Sequence, residues 1–166
     1  MLHTVMNPEE QAAARAALET LMSADVRELT AESDQIGRLF AGLHDVRATD
    51  FRALLHIMVA ETAGQPITSG ELGQRMGLSA AGTTYLVDRL IDSGHVRRDS
   101  HPADRRKVSL RYADLGLDTA RSFFTPLQKH TRAALADLPD ADLAAAHRVV
   151  TALVVAMRRF QAELQV

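Results

Sequence analysis

Residues 67–96, ITSGELGQRMGLSAAGTTYLVDRLIDSGHV, are punctuated so closely that they admit few folds. Thr68 and Glu71 have capping-box spacing and open a short helix predicted to end near Met76. Gly77 supplies a left-handed stop, and Ser79 caps a second helix that reaches about Ser93 and stops at Gly94. Inside it Thr83, Leu86, Val87 and Leu90 repeat at helical spacing and should face a core. Ala81, Gly82, Thr84, Tyr85, Asp88 and Arg89 fall on the opposite face. Two short helices joined by a glycine turn fit a helix-turn-helix, and equally an ordinary helical hairpin within a bundle.

The next segment separates the two. His95–Asp99 reads as short and extended, and Val108, Leu110 and Tyr112 alternate with Ser109 and Arg111 at the period of a half-buried strand. SHPAD between them is a turn. Two strands flanking a basic tip, directly after the helix pair, predict a winged helix.

The remainder reads as helix. Aromatic residues are only 4% of the chain and Ala and Leu dominate, which favours helices packed on helices. Asn7-Pro8-Glu9-Glu10 is a helix start, and the Ala-rich run after it is expected to break near Ser23–Thr30 and resume with a stripe of Ile36, Leu39, Phe40 and Leu43. Thr49 is expected to cap a helix over about 50–63 that carries Phe51, Leu54, Leu55 and Met58 on one side. Beyond Asp114 one helix should run to about Ala136, kinked or broken at Pro126, and a last one should follow Leu138-Pro139-Asp140. Leu143, Ala146, Val149, Val150, Leu153 and Met157 form its apolar stripe. The fold class is therefore mostly α with a small β-wing. N-terminal helices over 1–47 and C-terminal helices over 113–166 flank a winged helix-turn-helix over 48–112. The outer helices lack an obvious partner in one chain and would bury their stripes in a homodimer.

Charge is unevenly placed. Residues 66–111 hold eight Lys/Arg against five acids, a net of +3, while the whole chain is at −2. A basic centre between acidic ends suits a module that faces nucleic acid. There is no cysteine, which excludes disulfides and thiolate metal sites, and no two of the seven histidines have metal-ligand spacing, so no metal and no cofactor are expected. The chain shows no phosphate-binding loop and no nucleophile elbow, so it is not read as an enzyme. No run approaches the ~20 apolar residues that span a bilayer, and MLHTVMNPEEQ lacks the form of a secretory signal, so a cytoplasmic protein with no membrane partner is expected.

The stretch LSAAGTTYLVDRLIDSGHVRRDSHPADRRKVSL resembles the MarR (multiple-antibiotic-resistance regulator) family. The resemblance rests on LVDRL, on the Gly94–Arg98 exit and on the wing HPADRR, with Asp104 and Arg106 at the family's wing positions. Tyr112-Ala113 replaces the usual Leu-Thr that closes the wing, and Asp114 is expected to cap instead. The resemblance implies a homodimeric regulator, usually a repressor, on a pseudo-palindromic operator in double-stranded DNA. Ser79, Ala81, Thr84, Tyr85 and Arg89 would then enter the major groove, unless Arg89 merely pairs with Asp88 or Asp92. Arg105 and Arg106 would reach a narrow minor groove, since a guanidinium is thin and weakly hydrated. Asp104 would pin an arginine or cap the turn, and Arg97, Arg98 and Lys107 would meet phosphates. Resemblance also implies a small aromatic or phenolic effector, with Arg38, His44, His56 and Phe124 as candidate lining residues. The alternative is a winged-helix module that docks proteins and reads no DNA sequence.

Overall fold

The computed structural model describes residues 7–101 and 104–164, with the side chains of 101 and 104–106 left aside. Six helices and two strands follow in the order α1 (Pro8–Leu43), α2 (Ala48–Thr62), α3 (Ser69–Met76), α4 (Ala80–Asp92), β1 (Val96–His101), β2 (Asp104–Tyr112), α5 (Asp114–Leu135) and α6 (Asp140–Leu164). They form two compact units, one up to Ala120 and one from Arg121.

The first unit holds the core. Asn7 and Glu10 close a reciprocal capping box with Pro8 in the first turn, as the start of α1 was read. The expected break near Ser23–Thr30 does not occur. Ser23 and Thr30 donate their hydroxyls to the carbonyls of Glu19 and Val26, so the polar residues are satisfied within an unbroken helix. Of the stripe predicted on its second half, only Phe40 is buried, against the ring of Phe51 at 5.1 Å, while Leu39 and Leu43 stay exposed. The N-cap of α2 is Arg47, not Thr49, and no side chain caps it; Thr49 lies inside the helix and donates to Asp50. α2 turns Ala53, Leu54, Ile57 and Ala60 inward and leaves Leu55 exposed.

α3 and α4 then cross at close range. A Cβ on Gly73 would collide with the hydroxyl of Thr83, so glycine is what lets these two helices approach. Gly77 has φ +67°, the left-handed conformation a glycine adopts without strain, and it ends α3 as predicted. Ser79 accepts a hydrogen bond from the Gly82 amide and starts α4. Thr83, Leu86, Val87 and Leu90 are all buried, on the face the sequence spacing assigned to the core.

β1 and β2 pair antiparallel, Val96 opposite Tyr112 and Arg98 opposite Leu110, with an irregularity between Ser100 and His101. Thr68 bridges the other edge of β2 at Ser109, and the Leu110 amide donates to the Ile67 carbonyl at 2.8 Å. Being flanked on both edges changes the expected alternation. Ser109 is fully buried and donates to the Asp99 carbonyl, while Val108, two residues nearer the tip than Leu110, is half exposed. Tyr112 anchors the base, its hydroxyl donating to the Leu54 carbonyl at 2.9 Å. Burial and the neighbouring Glu61 push the phenol's pKa up, so it remains a donor. Asp114 is the first helical residue of α5 and not its cap, since the Ala113 carbonyl accepts the first bond, from Leu117.

In the second unit α5 runs on through Pro126 to Leu135 without a break. A turn leads to α6, of which no residue is buried. Val149, Val150, Val154, Val155, Met157 and Phe160 are all exposed along it.

Candidate nucleic-acid interface

One side of α4 is packed into the core, so the other is left to the surface. Ala81, Thr84 and Tyr85 are exposed there, Tyr85 at 64%. Thr84 donates its hydroxyl to the Ala80 carbonyl, and a hydroxyl that donates still has lone pairs with which to accept. Ser79 spends one lone pair on capping the helix. A groove of about 350 Å³ runs between α3 and α4 past Ser69, Gln74, Ala80 and Thr84.

Arg89 pairs with neither Asp88 nor Asp92. Its guanidinium grips both carboxylate oxygens of Asp50 on α2, Nε donating to Oδ2 at 3.0 Å and Nη2 to Oδ1. Hydrogen bonding to Asp50 raises the already high pKa of Arg89, against burial, which lowers it. The same guanidinium lies 5.0 Å from the centre of the Tyr85 ring. A fork held at both nitrogens is a rigid platform, so the ring above it is oriented as well. Arg89 thus ties α4 to α2 and steadies the exposed Tyr85.

Three arginines among the described residues of the wing are held too. Arg98 reaches from β1 back to Asp88 of α4 at 2.8 Å, and Arg97 pairs with Asp99 two residues on, also at 2.8 Å. The Arg97 guanidinium holds Asp99 below the usual carboxylate range, helped by the Ser100 amide. Arg97 stands opposite Arg111 across the strands, a like-charge juxtaposition that costs energy unless each has a counter-ion. Each has one, because Arg111 pairs with Glu61 at 3.2 Å and Glu61 also accepts from the Tyr112 amide. Lys107 is exposed. The side chains of Asp104, Arg105 and Arg106 lie outside the described residues, although β2 begins at Asp104.

The four effector candidates are described each by its own neighbours. Arg38 donates to Gln35 one turn back on α1, and the His44 ring meets Phe40 at a tilt, 4.7 Å between centres. His56 is half-buried on α2, where desolvation and the nearby Arg75 and Arg52 lower its pKa. Phe124 belongs to the second unit and meets Phe123 edge-on at 5.1 Å. None of the four lines the α3–α4 groove. Among the described residues no three His, Asp or Glu side chains are grouped to hold a metal, and no helix is long and apolar enough to cross a membrane.

Sequence reasoning missed Asp50, Glu61 and the pairing roles of Asp88 and Asp99. Asp50 and Glu61 act on residues 39 and 50 positions away, and no local spacing signals such a pair.

A two-helix unit with a left-handed glycine turn, an exposed face on its second helix and a two-stranded basic wing define a winged helix-turn-helix. In comparison with known families, residues 44–107 match the MarR family. An uncharacterised HTH-type transcriptional regulator of Bacillus subtilis, YcgE, is 41% identical over 66 residues, which are 40% of this chain and 43% of that protein's length. A MarR family protein of Bacillus stearothermophilus has the same fold at a TM-score of 0.58 and 25% identity, covering 93% of this chain and 99% of that one. MepR of S. aureus, solved as a DNA complex, superposes at a TM-score of 0.54 and 11% identity over 81% of this chain and 95% of its own.

Proposed function

We propose that this chain is a DNA-binding transcriptional regulator of the MarR type, acting as a homodimer and repressing from a pseudo-palindromic operator. The observation that carries the proposal is the division of α4: Thr83, Leu86, Val87 and Leu90 are buried, while Ala81, Thr84 and Tyr85 are exposed, and the wing that follows bears Arg97, Arg98 and Lys107. A helix presented in this way fits a major groove, with Tyr85 and Thr84 at base edges or phosphates. In this reading Ser79 and Arg89 build the surface, Arg105 and Arg106 enter the minor groove, and Asp104 organises the tip. Arg97, Arg98 and Lys107 meet phosphates.

Two half-sites need two chains. The 36-residue α1 is about 54 Å long at 1.5 Å per residue, and it exposes Leu18, Leu21 and Leu29. α6 exposes its own apolar row, so both outer segments offer surface that a second copy would bury. The dimerisation segments 1–47 and 113–166 and a cytoplasmic location belong to this proposal. Release by a small aromatic effector is the resemblance's expectation and is read out in the same assay as dissociation.

The test is a binding titration with short duplexes from upstream of the chain's own gene, at two salt concentrations, against an unrelated competitor. Binding that survives the competitor and weakens steeply with salt supports a sequence-specific regulator. Equal affinity for both duplexes favours the protein-docking alternative and directs the search to protein partners.

A further inference from the structure

Four arginines of the wing and α4 are each held by an acid, but the pairs are of two kinds. Arg89–Asp50 and Arg111–Glu61 are mostly covered, with side-chain exposures of 23%/8% and 22%/31%. Arg98–Asp88 and Arg97–Asp99 are open to water, at 48%/50% and 55%/44%. The covered pairs fix elements together. The open pairs join no elements that the β1–β2 ladder and the core do not already join, and exposed pairs contribute little stability. Yet they occupy both arginines of β1, and Asp88, one of the two acids, stands on α4 itself.

We propose that Asp88 and Asp99 are built-in competitors of the DNA phosphate, a brake on sequence-independent binding. The inference rests on the DNA-binding reading above. An arginine that neutralises a phosphate releases a condensed cation, and that release drives non-specific affinity. Here the phosphate must first take the arginine from its carboxylate. The carboxylate left behind then recaptures a cation from solution and cancels part of the release. Base contacts from α4 do not involve these acids, so the brake acts on the backbone component of affinity. A phosphate brought into good geometry by a seated α4 can win such a weak, exposed pair; a loose encounter gains little from it.

The full-length protein, wild type and Asp88→Asn/Asp99→Asn, is titrated against an unrelated duplex at several salt concentrations. The double variant should bind about 3- to 10-fold tighter at low salt, and its plot of log K against log salt should steepen by up to about 0.9 per arginine freed. Adding Arg97→Ala and Arg98→Ala to the double variant should remove the gain. A gain that persists without the arginines would show general repulsion instead of competition and would overturn the proposal. So would wild-type affinity and slope in the double variant, with the DNA-binding reading left standing. A wild type that binds no duplex at the lowest salt overturns both.

Discussion

Neutralising Asp50 should expose how the surface of α4 is held. Asp50→Asn keeps the shape of the side chain and one acceptor but removes the charge opposite Arg89. A hydrogen-bonded charge pair contributes about 1.5–3 kcal/mol, and breaking a fully buried pair costs about 3–5 kcal/mol. Asp50 is buried but the Arg89 side chain is 23% exposed and can turn partly to water, so the cost should fall to about 2–3 kcal/mol. Arg89→Gln should cost at least as much, because it strands the more deeply buried partner. The double variant should then lose about 2–3 kcal/mol less than the two single losses added together. Urea unfolding followed by circular dichroism measures all four proteins. Additivity within about 0.5 kcal/mol would mean that the two side chains are not coupled. The same Asp50→Asn protein should also bind operator more weakly, since Tyr85 loses the platform under its ring.

Other consequences are smaller or more local. Gly73→Ala gains about 1 kcal/mol of helix propensity but meets Thr83, where overpacking costs about 1–3 kcal/mol. It should therefore destabilise, and Thr83→Ala should restore part of the loss in the double variant; no recovery would deny the close crossing. His56 has its pKa lowered by desolvation and by Arg75 and Arg52, so the unfolded chain takes up its proton at a higher pH than the folded one. That contribution to stability is complete above the ordinary value of 6.5 and is lost as pH falls through the folded value, and His56→Gln should flatten the acid limb of a stability–pH curve. Arg106→Ala should weaken DNA binding at least tenfold with no change in sedimentation as a dimer. Val150→Asp, on the open face of α6, should shift the monomer–dimer equilibrium towards monomer.

The helix-turn-helix was legible because its signals are local. A capping box, a left-handed glycine and a run of Thr83, Leu86, Val87 and Leu90 each fix a few neighbouring residues, and each stands where spacing placed it. Misreadings arose where a distant partner or a backbone bond decided the outcome. Serine and threonine near Ser23–Thr30 looked like breakers, but their hydroxyls return to carbonyls four residues back. Ser109 looked outward until Thr68 supplied a second neighbour for β2. The ion-pair alternative for Arg89 named an acid of its own helix, and its partner came from α2, where Asp50 carries no mark of that role in sequence.

Footprinting on a bound upstream duplex tests the central claim most directly. The account predicts two protected major-groove patches on one face of the duplex, about 10 base pairs apart, each flanked by minor-groove protection from a wing. Protection should fade at the major-groove patches in Tyr85→Ala and at the flanks in Arg106→Ala. A uniform, weak protection with no preferred position, unchanged by either substitution, would contradict reading by α4 and the wing.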